Sequence, residues 1–143
     1  MSLYCFMACD KKVPPLSIGI DDQGYRIIIP DERHILNIYE AAQDNCTRPF
    51  TDKQVIMGVE IGLDFLTVAE DMLSYVQKAM LDNANIELWS IWIGTVDIGD
   101  RKVEKKSVSI GELTTDDLGW VLDDMNYSHP KCLKIYKWMK DKK

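Results

Sequence analysis

The stretch KQVIMGVEIGLDFLTVAEDMLSYVQKAMLDNANIELWSIWIG, residues 53–94, decides the architecture. Val55, Met57, Val59 and Ile61 alternate with Gln54, Ile56, Gly58 and Glu60, the period of two of a strand with one strongly apolar face. Gly62 ends that pattern, and Asp64 is placed to cap a helix. Through Asn83 the apolar residues Phe65, Val68, Ala69, Met72, Val76, Ala79 and Met80 recur at helical spacing, with the charged residues mostly off their stripe. The apolar run from Ile86 to about Val96 then reads as a second strand.

Downstream, DIGDRK (97–102) reads as a hairpin turn and VEKKSVSIGEL as the returning strand, whose charged start suits a sheet edge. Thr114 is placed to cap a second helix, with Asp116 and Asp117 in its first turn and Leu118, Val121, Leu122 and Met125 on its apolar face. KCLKIYKW (131–138) makes the last strand. From residue 53 the order is therefore βαββαβ, as in a ferredoxin-like domain. One feature opposes that fold, which needs VEKKSVSIG at a central position rather than an edge.

Upstream, LYCFMAC (3–9) is apolar on both faces and reads as a strand that can take the central place. DKKVPPLS reads as a loop, DDQG as a turn and YRIII (25–29) as a strand. Asp31 is then placed to cap a short helix over 31–43, with Ile35, Ile38, Tyr39 and Ala42 on one face. The expected fold class is α+β: one domain over residues 1–143, with an antiparallel or mixed sheet and helices largely on one face.

The net charge is −6, unevenly spread. From Lys131 onward there are six lysines and one aspartate, whereas residues 1–130 carry 11 basic and 22 acidic side chains. So acidic a body disfavours nucleic acid and anionic membranes. No apolar run approaches the roughly 18 residues of a membrane span, and no basic residue precedes the apolar N-terminal stretch, which argues against a secretory signal. The four cysteines include no CxxC pair. Cys5 and Cys9 are separated by four strand residues, about 13 Å, too far for one disulfide or one metal ion. Free thiols in a reducing cytoplasm are the expectation.

The only histidines, His34 and His129, sit in no nucleophile or metal signature, and no GxGxxG, Walker A, GxSxG or HExxH motif occurs. DIGD, residues 97–100, lacks the further ligands of a calcium loop. No catalytic residue, metal or cofactor is expected from these patterns.

Strand parity separates the two tryptophans of ELWSIWIG. Trp89 shares a face with Ile91 and Ile93, the more apolar set, and is expected beneath the helices together with Leu133 and Ile135. Trp92, Tyr136 and Trp138 then fall on the opposite face, with Lys134, Ser107 and Ser109 as polar neighbours. Large aromatics among Ser and Lys have the composition of a partner-binding surface, which makes Trp92, Lys134, Tyr136 and Trp138 the candidate site. The alternative is that the N-terminal segment or a helix over 31–43 folds over that face and buries them.

Three stretches, YCFMACD, IELWSIWIG and SIGELTTDDL, carry a likeness: the chain resembles a family of small uncharacterised bacterial α+β proteins. In size, acidity and fold class it is also similar to the immunity proteins that neutralise polymorphic toxins. The resemblance implies a bacterial α+β protein without an assigned activity. The acidic body and the aromatic patch make a cytosolic, non-enzymatic interaction module the leading expectation, with a protein partner such as a basic toxin. A small-molecule pocket between the sheet and the N-terminal segment is the alternative, and pairing through the sheet face as a homodimer is a third.

Overall fold

The computed structural model describes residues 2–19, 35–41, 47–48, 50–62, 64–93, 103–123 and 129–137, apart from the side chains of Ser2, Trp92 and Ile93. The strand expected over 25–29, its preceding turn, the turn at 97–102 and Trp138 lie outside the described residues.

Seven strands form one sheet: β1 (Ser2–Cys9), β2 (Leu16–Ile18), β3 (Leu36–Ala41), β4 (Val55–Ile61), β5 (Asn85–Ile93), β6 (Glu104–Ser109) and β7 (Lys131–Tyr136). Two α-helices among the described residues, α1 (Ala69–Ala79) and α2 (Thr115–Leu122), complete the α+β fold. The strand order is β2-β3-β4-β1-β5-β7-β6. β1 is central, and its residues show why: Phe6, Met7, Ala8 and Cys9 are all fully buried, so both faces are covered. Among the described residues no helix is long and apolar enough to cross a membrane.

β1 is antiparallel to both β4 and β5, so β4 and β5 run parallel with β1 between them. α1 makes that split crossover. α2 makes the other, between β6 and β7, which are parallel and adjacent. A half-turn about the sheet normal carries the direction and step of the first crossover onto the second. Crossovers of one hand therefore place both helices on the same face, and α1 and α2 do pack together there.

Beneath the helices, Met7, Leu36, Ile38, Met57, Leu88, Leu133 and Ile135 meet Met72, Val76, Met80, Leu118 and Val121. Thr114 caps α2 in a full capping box with Asp117. Asp64 caps a 3-10 turn (Phe65–Thr67) that leads into α1, its carboxylate accepting from the Leu66 amide at 3.0 Å. Past the end of α1, the buried Asn83 accepts from the amides of Asp10 (3.1 Å) and Lys11 (2.9 Å) and donates to the Ala79 carbonyl (3.1 Å). It thereby ties the helix end to the end of β1. Tyr75 donates its hydroxyl to the Pro14 carbonyl at 2.7 Å and pins the proline loop against α1.

Five expectations are corrected. Residues 36–41 are a strand, not part of a helix: Leu36 and Ile38 are fully buried while Tyr39 is exposed, a period of two that β2 and β4 fix by pairing on both sides. The proline loop is followed by a short strand, β2. β6 does not return against β5; it pairs with β7 alone and in parallel, at the edge its charges suit. β1 takes the place beside β5 instead, so the sheet order is not that of a ferredoxin-like domain. Lastly, Trp89 faces away from the helices, because Ile86 and Leu88 fill the helix side.

Candidate functional site

The helix-free face carries its own core. Phe6, Ala8, Ile56, Trp89, Ile91 and Cys132 are buried there, with Tyr4, Ala41, Phe50 and Val103 packed against them. Tyr4 stacks on Phe6 (centroids 5.3 Å apart), Phe6 stacks on Trp89 (6.0 Å), and Phe50 closes on Trp89 at 5.4 Å. The Trp89 indole N–H donates to Glu87 at 2.9 Å, so its one polar atom is satisfied within its own strand. Burial, and next the nearby Glu87, raise the Cys132 thiol to about 12.

The sequence-derived site is only partly brought together. Lys134 and Tyr136 share this face, the Lys134 ammonium lying 5.8 Å from the Tyr136 ring centre and 3.9 Å from a Glu87 carboxylate oxygen. Both residues are half-buried. Trp92 lies in β5, paired with Leu3 of β1, and its side chain is outside the described residues, as is Trp138. Beside Lys134 lies a polar basin of about 380 Å³ lined by Asp10, Asp52, Lys53, Asn85 and Glu87. Its lysines are already matched, Lys53 to Asp10 at 3.0 Å and Lys134 to Glu87.

A more distinctive opening lies where the sheet divides. β1 pairs with β4 from Cys9↔Val55 only as far as Cys5↔Val59. Beyond that point β1 continues against β5 to Ser2↔Ile93, and β4 continues against β3 to Leu36↔Ile61. The two halves diverge, and a cavity of about 260 Å³ opens between them, lined by Leu3, Tyr4 and Cys5 on one side and Val59, Glu60, Ile61 and Gly62 on the other. Tyr39, Phe65 and Leu122 complete the wall.

Gly58 shapes this cleft. It pairs with Phe6 on one side and Tyr39 on the other, and a methyl group at position 58 would overlap the Tyr39 ring. The glycine thus lets the tyrosine lie flat on the sheet and reach the opening. Burial, and next Glu60, raise the Tyr39 phenol above its ordinary value. Glu60 is exposed, accepts from the Asn37 side chain at 3.5 Å, and is the one charged residue among the described residues of the lining.

The wall residues Phe65 and Leu122 belong to the helix layer, and each adjoins a carboxylate in sequence, Asp64 and Asp123. That layer is net acidic, although the ammonium groups of Lys106 and Lys131 reach Trp120 of α2 and that of Lys137 reaches the Leu81 carbonyl. Residues 64–82 hold Asp64, Glu70, Asp71 and Asp82 against Lys78; residues 110–123 hold Glu112, Asp116, Asp117 and Asp123 with no basic residue. Leu66, beside Phe65, is 76% exposed, and Leu81, at the far end of α1, is 71% exposed.

Sequence reasoning missed the cleft because it placed Tyr39 on a helix. The signal present was Gly58, a lone glycine inside a strand pattern, which marks close approach of another group. No family model, curated protein or solved structure matches the chain.

Proposed function

We propose that this protein is a non-enzymatic interaction module that binds a basic protein partner, in the manner of a bacterial cytoplasmic immunity protein that neutralises a toxin. The observation that carries the reading is the net acidic helix layer bordering the sheet cleft: eight carboxylates from residues 64–82 and 110–123 against Lys78 and the ammonium groups of Lys106, Lys131 and Lys137, which reach Trp120 and Leu81. A net negative field of this kind attracts an incoming basic protein and speeds its association. Exposed Leu66 and Leu81 supply apolar contact on the same layer.

The test is co-purification of the tagged protein with products of its neighbouring genes, followed by kinetics on any complex formed. A stable complex is expected, whose association rate falls as salt rises. Triple replacement of the exposed Glu70, Asp82 and Asp116 by lysine should slow association at least tenfold at low salt. Absence of any complex, or an association rate indifferent to that replacement, would overturn the reading.

A further inference from the structure

We infer that the cleft between β1 and β4 is a receptor for one cationic side chain, an arginine or lysine of the partner protein; this rests on the interaction reading above. Three features converge on that chemistry. Tyr4 and Tyr39 both line the opening, and aromatic ring faces attract cations. Among the described residues of the lining Glu60 is the only charged one, and its charge is negative. The volume, about 260 Å³, lies just under the span of about 300–1,000 Å³ found for small-molecule pockets. It therefore suits one inserted side chain better than a whole metabolite.

The construction of the cleft supports the assignment. An ordinary antiparallel pair would continue the β1–β4 ladder past Cys5↔Val59 and leave no space. Here Gly58 keeps the Tyr39 ring on the sheet, and the ring borders the opening. The nearby acidic helix layer favours delivery of positive charge to the mouth. Among the described residues that line the cleft there is no competing ammonium or guanidinium group.

The test uses the full chain and small probes. Amide NMR shifts are followed while N-acetyl-arginine methylamide is added, and again with the citrulline analogue, its neutral near-isostere. The expected result is saturable shifts confined to residues 3–5, 39 and 58–62, with the citrulline probe binding at least tenfold more weakly. Glu60→Gln, at an exposed position, should weaken the arginine probe about tenfold with an unchanged melting temperature. Gly58→Ala should weaken it without altering any charge, by lifting the Tyr39 ring. Shifts that never saturate, equal binding of citrulline, or shifts centred on residues 112–117 instead would overturn the inference. Failure of the broader reading looks different: the arginine probe binds the cleft, yet no protein complex forms. A salt-sensitive complex indifferent to Glu60→Gln, with no probe binding, overturns the cleft assignment alone.

Discussion

Trp89 owes its position to two neighbours of opposite character. Phe6 stacks against it with the ring planes within 8° of parallel, and Glu87, two residues earlier on the same face, accepts its N–H. Trp89→Ala removes both interactions and leaves a cavity, so it should cost about 3–5 kcal/mol, read from urea unfolding. Ser90 is the reverse case. Its hydroxyl is buried and finds no hydrogen-bond partner among the described residues. Ser90→Ala should leave stability unchanged or raise it by about 1 kcal/mol, measured in the same way. Cys132 ties stability to pH. Its folded-state value, about 12, stands above the ordinary thiol value of 9.0, so the folded state holds its proton longer than the unfolded chain does. That contribution is complete below pH 9.0 and is lost as pH rises toward about 12. Unfolding measured from pH 9 to 11 should therefore show stability falling, by up to about 1.4 kcal/mol per pH unit from this thiol, with a shallower fall in Cys132→Ala.

Among the elements, buried apolar stripes hold the helices to the sheet, polar contacts fix their ends, and parity sets the strands. Thr114→Ala breaks the capping box of α2 and should cost about 1 kcal/mol. Asn83→Ala strands the amides of Asp10 and Lys11 and should cost about 2–3 kcal/mol; thermal melts check both. The same contrast explains what could be read without coordinates. The cap at Thr114, the stripe of α1 and the doubly apolar β1 are local signals, and each is present in the structure; Asp64 caps the 3-10 turn before α1 rather than α1 itself, whose N-cap is Val68. β3 was not legible, because Ile35, Ile38, Tyr39 and Ala42 satisfy a helical period while Leu36 and Ile38 satisfy a strand's. Only the pairing partners, β2 and β4, decide between them. The partner of β6 was hidden for a similar reason: adjacency in sequence favours a hairpin with β5, yet β1 already occupies the side of β5 that β7 leaves open. The face of Trp89 could not follow from apolarity, since Leu88 and Trp89 are both buried, on opposite sides of one covered strand.

At the scale of the molecule, two crossovers of like hand gather both helices, and with them a concentration of carboxylates, on one side of a mixed sheet. Long-range placement brings Tyr4, Tyr39 and Glu60, from three different strands, to the point where the sheet divides. No local motif announces such a site. The most direct test of the central claim is the arginine-probe titration of the wild-type chain and Glu60→Gln by amide NMR. The account predicts saturable shifts at residues 3–5, 39 and 58–62 that weaken about tenfold in the variant. Shifts that are unsaturable, that fall elsewhere, or that are equal in the two proteins would contradict it.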